Sequence, residues 1–318
     1  MQRPLVSVIV PALNAGAHLD TSIESALAQT FSSRAVIVVD DGSTDDTAER
    51  LRAWTDSSVQ VIRQPNRGVS SAVNAGIAAS NSEYVGFLDA DDVWLPHKLE
   101  RHIQFLKENP SVDATFSWVQ VIDERGCRVR IPSPRWKGPV SFRQLFADYM
   151  IRTMSSVVMR RSAIEEAGLM DPGFVRCMDI EFFLRVALLR PNNIHAIPEV
   201  LTLYRRHPGQ HTRDWRPVRE GWDQVVESIR HRAPEETAAV AELASSNMNR
   251  YFASIAYENG HFREVRSIAG RSLFSNPGLF LQDFRNWEMG AACLATLLLP
   301  RRALFTLEER LGFYRSNR

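Results

Sequence analysis

The run Leu5-Val6-Ser7-Val8-Ile9-Val10 constrains this chain most. It is β-branched and apolar on both alternating faces, so a strand made from it needs cover above and below. That is the pattern of a buried parallel strand, and parallel strands are joined by crossovers long enough to hold a helix. The chain supplies one. Residues 18–29 carry Leu19, Ile23, Ala26 and Leu27 at helical spacing, and residues 35–39 are a second β-branched run. Strand, helix and strand within about 35 residues make a βαβ unit. The loop after the first strand has no GxGxxG fingerprint, which weakens a dinucleotide-binding reading.

The strand-like runs end in carboxylates. Residues 84–88 read as a fourth strand, and Asp89-Ala90-Asp91-Asp92-Val93-Trp94 follows at once. In an open α/β sheet, ligands sit beyond the carboxyl ends of the strands. Asp89 and Asp91 are two apart and point the same way in an extended segment. Carboxylates packed this closely repel unless a cation lies between them, and such oxygen ligands suit magnesium or manganese. A solvated acidic turn capping the next helix is the plainer alternative. The second strand runs into Asp40-Asp41-Gly42-Ser43-Thr44-Asp45. Gly42 permits a tight turn, and Thr44 or Asp45 can cap the helix near Thr47. Turn chemistry does not explain Asp40 and Asp41 at the end of a buried strand, so ligand contact is favoured there.

Further along, residues 59–62 form a short third strand. Asn66-Arg67-Gly68 is a glycine turn entering a helix whose Ser71, Ala72, Ala75 and Gly76 allow close backbone approach. Residues 98–108 read as a helix, 114–122 as a strand, 132–139 as a loop, 142–149 as a short helix and 155–160 as a strand. A helix from about Asp179 buries Phe182, Phe183 and Val186; Asp179 is its cap or lies in its first turn. Glu181 and Arg185 are four apart and are expected to pair on its exposed face. Residues 194–197 and 200–204 are expected as two short strands. Arg205-Arg206-His207-Pro208-Gly209-Gln210-His211 is a dense basic segment suited to phosphate, or a solvated turn.

From Trp215 onward the pattern is helical, over 221–231, 235–245, 248–259, 261–274 and 279–298, with an αα-hairpin near Gly260. We therefore divide the chain into 1–215 and 216–318.

Taken together, the motifs resemble those of inverting, nucleotide-sugar-dependent glycosyltransferases of family 2, with the GT-A fold. The matching residues are 6–11 with Asn14, Asp40-Asp41-Gly42-Ser43-Thr44-Asp45, Asn66-Arg67-Gly68, Asp89-Ala90-Asp91-Asp92, Asp179, and Tyr204-Arg205-Arg206-His207-Pro208-Gly209-Gln210. They span roughly residues 5–212; the helical tail carries no match. The resemblance implies an α/β fold, a Rossmann-like, mostly parallel sheet flanked by helices, followed by an all-helical region. It implies that Asp41 binds the donor base beside Pro11, Leu13 and Asn14. Apart from the resemblance, the place of Arg67 at the glycine turn is that of a residue facing a diphosphate or of a surface arginine before a helix. Asp89 would hold ribose or the metal shell, Asp91 would ligate Mn2+ or Mg2+, and Asp179 would be the general base. Arg205, His207 and His211 would clamp the diphosphate. The donor is a nucleoside-diphosphate sugar, UDP-linked by default. The acceptor is a hydroxyl of a glycan or glycolipid in cell-surface synthesis. Leu13 stands where relatives often have an aromatic, and Met178-Asp179 where many have Glu-Asp.

The formal net charge of +1 gives no basic field for nucleic acid. Cys127, Cys177 and Cys293 are scattered, which fits a reducing compartment rather than a disulfide framework. No signal-peptide pattern opens the chain. A cytoplasmic protein is expected, with residues 290–307 and the arginines beyond them open to peripheral contact at the inner membrane face or to a homodimer. A nucleotidyltransferase would be expected to carry a Lys/Arg-rich phosphate loop after the first strand, and residues 11–17 have none. A non-catalytic partner subunit would not need Asp89, Asp91 and Asp179.

Overall fold

The computed structural model describes residues 3–54, 59–129, 135–207, 209–210, 214–275, 277–282 and 284–298. The chain divides into two compact units. One comprises Met1–Ile122, Ser133–Leu145 and Tyr149–Arg205; the other comprises Asp123–Pro132, Phe146–Asp148 and Arg206–Arg318.

The first unit is a mostly parallel sheet flanked by helices. Its opening strands are β1 (Val6–Ala12), β2 (Arg34–Asp40), β3 (Val59–Arg63) and β4 (Tyr84–Phe87), with helices α1 (Leu19–Leu27), α2 (Thr47–Ala53) and α3 (Val69–Ala79) between them. β1 pairs in parallel with β2 and β4, and β2 in parallel with β3. The order β3-β2-β1-β4 reverses direction at β1, which opens a crevice beyond the carboxyl ends of β1 and β4. Val6, Val8, Ile9 and Val10 are all fully buried, as a strand covered on both faces requires. Gly76 of α3 is where the helix lies closest to the sheet: a β-carbon there would stand 2.5 Å from Ile9 Cγ2.

The sheet continues through β5 (Val93–Trp94), α4 (Lys98–Glu108), β6 (Ala114–Ile122), β7 (Gly138–Val140), α5 (Phe142–Ala147) and a 3-10 turn (Met154–Ser156). It is completed by β8 (Val157–Arg160), α6 (Arg161–Ala167), α7 (Met178–Leu189) and β9 (Ile194–Arg205). β8 is antiparallel to both β4 and β6, while β6 and β9 are parallel. The two strands expected over 194–204 are a single strand. Its register skips Pro198 and Glu199 opposite the Ser117/Trp118 step, so the proline, which has no N–H to give, sits at an irregularity rather than ending the strand. The end of the proline-rich loop also pairs, as β7 on β9.

The second expectation to be corrected concerns α7. Glu181 and Arg185 do pair, at 2.8 Å, but they are buried, with exposures of 1 % and 6 %. Arg185 also donates to the carbonyls of Ala167, Gly168 and Leu169, where α6 ends. The i,i+4 spacing reveals a pair but not the side of the helix it occupies. Here the guanidinium satisfies carbonyls left over by the preceding helix.

The helical unit contains α8 (Trp215–Arg232), α9 (Pro234–Glu258), α10 (Phe262–Ser275), α11 (Pro277–Gln282) and α12 (Phe284–Leu298). The break expected near residues 246–247 does not occur. Asn247, a residue that competes with helical backbone, donates instead to the Ala147 carbonyl, so tertiary contact overrides propensity. Gly260 has φ +72° at the hairpin between α9 and α10.

Because removing one partner strands a buried charge, Arg185→Met should destabilise the protein by about 3–5 kcal/mol in urea unfolding. Breaking the exposed Arg230–Glu227 pair should cost less than about 1 kcal/mol. Equal effects at the two sites would contradict the buried placement.

Candidate active site

Beyond the carboxyl ends of β1, β2 and β3, the loops are bound to one another. The Asn14 amide donates to Ser43 Oγ, Ala15 to Thr47 Oγ1 and Gly16 to Asp45 Oδ2. In return the Thr44 amide donates to Asn14 Oδ1. Asn14 itself adopts φ +52°, a left-handed conformation that asparagine tolerates. Asp45 also accepts from the Thr47 amide, a turn bond just outside α2; the cap position is Asp46, which makes no side-chain cap bond, and not Thr44 or Asp45 as expected. The bonds to Asp45 hold its carboxyl below the usual range even though burial opposes them.

Asp40 and Asp41 are both buried, and both do turn work. Asp40 accepts from the Ser43 amide, and Arg63 Nε lies 3.3 Å from its other oxygen. Asp41 Oδ1 accepts from the Arg67 amide at 2.9 Å and from Gln64 Nε2 at 2.7 Å, while Oδ2 accepts from the Gly68 amide at 2.9 Å. Asp41 thus fastens the β3–α3 turn. Gly42, at φ +77°, passes so close to that turn that a β-carbon would stand 2.7 Å from the Asn66 nitrogen.

The acidic turn follows β4. Its three carboxylates, Asp89, Asp91 and Asp92, each bring an oxygen within 4.8 Å of the others. Metal–oxygen bonds of about 2.1 Å put ligands at most about 4.2 Å apart, so small rotations would close a shell. The turn is braced from far along the chain. The Asp89 amide donates to Ser155 Oγ. Thr153 Oγ1 lies 2.9 Å from Asp89 Oδ2 and 3.1 Å from Asp92 Oδ2, although its single proton can serve only one of them. The Arg205 amide donates to Asp92 Oδ1, and Arg205 Nε donates to the Asp91 carbonyl. Asp92 is fully buried with both oxygens engaged, so Asp89 and Asp91 are the partly exposed members. Burial first, and then the charge of Asp91, push Asp89 up to about 7. The same causes push Asp92 well above the usual carboxylate range.

Behind the turn lies a buried polar cluster. Lys98 Nζ donates to the Ser156 carbonyl at 2.8 Å and lies 3.2 Å from His102 Nε2, while Trp94 Nε1 donates to the Ser155 carbonyl. Burial pushes Lys98 and His102 well below their ordinary values, toward the neutral forms. The cluster pins the 3-10 turn that carries Ser155.

Asp179 lies in the first turn of α7; the cap position is Cys177, at φ +57° and without a side-chain cap bond. The Tyr149 hydroxyl donates to Asp179 Oδ2 at 3.2 Å. Burial raises Asp179 against those bonds, and its charge contributes to raising Asp89, so the two acids lie within electrostatic reach of each other. Arg206 pairs with Glu258 in the helical unit. His207 is described there too, and His211 lies outside the described residues. Sequence reasoning missed Thr153, Ser155 and Tyr149. They lie 30 to 66 residues from the acids they touch, and no local spacing marks them.

A group pushed up to about 7 is ionised at pH 8 and protonated at pH 5. An unfolded aspartate, at about 4, is ionised at both. The buried carboxylate therefore costs stability as pH rises toward 8, and a cation that binds the ionised form offsets that cost. Manganese should raise the melting temperature clearly at pH 8 and little at pH 5. An equal shift at both pH values would contradict this account of Asp89.

The family model described as Glycosyl transferase family 2 matches residues 7–168, just over half of the chain. A relative described as an uncharacterized glycosyltransferase of Nostoc sp. is 35 % identical over 178 residues, covering 52 % of this chain and 54 % of that one. One from Rickettsia felis, described in the same words, is 26 % identical over 238 residues; this chain spans 73 % of its own length there but 39 % of the relative's. The Escherichia coli UDP-Glc:alpha-D-GlcNAc-diphosphoundecaprenol beta-1,3-glucosyltransferase WfgD is 26 % identical over 199 residues, covering 62 % of this chain and 74 % of that one. Among solved structures, Staphylococcus aureus TarS 1-349 in complex with UDP-GlcNAc superposes with a TM-score of 0.65 at 16 % identity. It covers 92 % of this chain and 91 % of that one, and so supports the fold.

Proposed function

The chain belongs to glycosyl transferase family 2, and from that premise we propose that it is a metal-dependent, inverting transferase. It moves a sugar from a nucleoside-diphosphate donor to a hydroxyl of a glycan or glycolipid acceptor. The observation that carries the reading is the pairing of two acid sites. Asp179, bonded to Tyr149, lies within electrostatic reach of the Asp89–Asp91 turn, though ninety residues separate it from Asp89 in sequence. Transfer needs an acid site at each end of the bond that breaks.

In this reading Asp179 takes the proton of the acceptor hydroxyl. The acceptor oxygen bonds to the anomeric carbon as the bond to the diphosphate oxygen breaks, and the electron pair leaves with the diphosphate. One displacement inverts the configuration. An acceptor hydroxyl is too weak an acid to ionise alone, and a buried carboxylate above its usual range is the stronger base for it. Asp91 and Asp89 would hold the divalent ion, which supplies charge neutralisation to the departing diphosphate. Pro11, Leu13, Asn14 and Asp41 would frame the base, with Arg67 toward the diphosphate. Asp41 spends hydrogen bonds on the turn that presents Arg67, so its part in base binding includes shaping the pocket. Arg205 braces the acidic turn, and His207 and His211 are assigned to the diphosphate on their place in the basic segment of the sequence alone. The WfgD and TarS likenesses make a UDP-sugar the first donor to try.

Asp179→Asn should lower kcat by several orders of magnitude while donor affinity stays within a few-fold. In the wild type, kcat/KM should rise with pH through an apparent pKa above the ordinary carboxylate range, because the base must be ionised. Asp91→Asn should abolish the response to manganese. Release of nucleoside diphosphate from a panel of nucleotide sugars, with and without manganese, tests all three. Normal turnover by Asp179→Asn would reject the base, and activity untouched by exhaustive chelation would reject the metal.

For the helical unit, the supporting observation is a row on α12. Trp287, Leu294, Leu297 and Leu298 are between 59 % and 76 % exposed, and Pro300-Arg301-Arg302 follows in sequence. No described helix is long and apolar enough to cross a membrane. Peripheral contact with an anionic membrane is the role assigned to this row, with a second copy of the chain as the competing occupant. Co-sedimentation with anionic liposomes at moderate salt should occur for the wild type and be lost in Leu294→Ser/Leu298→Ser. A dimer that dissociates in that variant, with no liposome binding by the wild type, would award the surface to the second copy.

A further inference from the structure

A second cluster in the sheet unit is built with more order than packing requires. Trp118 lies in β6 at the register irregularity. Its Nε1 donates to the Trp136 carbonyl at 2.7 Å, and Trp136 Nε1 donates to the Pro139 carbonyl at 3.2 Å. Both indoles thus spend their only donor on backbone, which fixes the rings. Above Trp118 converge two cations, the Arg135 guanidinium carbon at 5.3 Å from the ring centre and Lys137 Nζ at 6.0 Å. Both are exposed, and among the described residues neither has an acidic partner. A cation over an exposed ring gains only about 0.5–1 kcal/mol, and two like charges on one ring offset part of it by repulsion. An anion between them would remove the repulsion.

The placement is informative. Trp118, Gln120 and Ile122 alternate onto one face of β6. Ile122 pairs with Arg205 in register, and Arg205 Nε donates to the Asp91 carbonyl. The cluster therefore shares a face with the brace of the acidic turn. Ile122 lies four positions along the strand from Trp118, about 13 Å. That is too far for a group undergoing transfer and suitable for a later unit of a chain whose end is at the site.

We propose that Trp118, Trp136, Arg135 and Lys137 form an acceptor subsite for a sugar chain bearing anionic groups, carboxylate or phosphate. Trp136 takes the C–H face of a sugar ring, and the two cations held over Trp118 take its charge. This deepens the transferase reading and rests on it.

The test is calorimetric titration of the full chain at low salt. The ligands are UDP with manganese, an oligogalacturonate, a phosphodiester-linked sugar oligomer of similar length, a neutral maltooligosaccharide and a single-stranded oligonucleotide. At least one anionic glycan should bind ten times more tightly than the neutral one, and the better of the two identifies the charged group. Arg135→Gln/Lys137→Gln should erase that preference while leaving UDP affinity unchanged; both side chains are exposed, so the fold should survive. The proposal is overturned if neither anionic glycan outbinds the neutral one, if the double variant binds them as the wild type does, or if the oligonucleotide binds as tightly. Absence of UDP binding by the wild type would instead strike the transferase reading, so the two failures are distinguishable.

Discussion

Three carboxylates within four residues, at the mouth of a fully buried strand, are the interaction on which the rest of this structure turns. Like charges at such spacing cannot all be ionised in a low-dielectric setting without compensation. The chain compensates in two ways. Asp92 is buried, accepts from the Arg205 amide and lies within reach of the Thr153 hydroxyl, whereas Asp89 and Asp91 are left partly open. The unfavourable charge is thereby concentrated where an external cation can reach it. A fold optimised only for stability would have no reason to keep it.

Holding such a turn in place requires support that cannot come from its neighbours in sequence. Thr153 and Ser155 reach it from the 3-10 turn, and that turn is fixed by Trp94, by Thr202 and by the buried Lys98. Arg205 reaches it from the end of β9. The loops after β1 and β2 follow the same logic. Asn14, Ser43, Thr47 and Asp45 bind one another, so the pocket wall need not be ordered at the moment a ligand arrives. Asp179 is held by Tyr149 on one side and by α7 on the other, and Arg185 ties α7 to the end of α6.

What the sequence made legible follows from the range of each interaction. β1, β2 and β4 were readable because a strand buried on both faces must be apolar throughout, and the Gly42 turn because only a few residues accept its φ. Asp89 and Asp91 were readable because their chemistry is carried by adjacent positions. The bracing residues were not, since Thr153 and Tyr149 are ordinary residues until the fold brings them beside an acid. The side of α7 on which Glu181 and Arg185 lie was misread for a related reason. Helical spacing fixes that the two side chains meet, but the free carbonyls at the end of α6 decide that they meet inside. The continuity of α9 through Ser245, Ser246 and Asn247 is the same lesson in reverse, a weak local preference yielding to one distant carbonyl.

Two surfaces of the sheet unit also differ in how they can change. The loops after β1, β2 and β3 hydrogen-bond to one another through main-chain amides, so most substitutions there would loosen several contacts together. Trp118 and Trp136 are anchored by their indole N–H groups to carbonyls, while the exposed Arg135 and Lys137 rest over the Trp118 ring and hold neither anchor. Arg135 and Lys137 can therefore be exchanged without disturbing either anchor. A transferase that keeps its donor chemistry but must follow a changing acceptor would be expected to concentrate its variation in positions of the second kind. In this sheet unit the amide-held and the side-chain-held surfaces therefore differ in how much of the fold a single substitution disturbs.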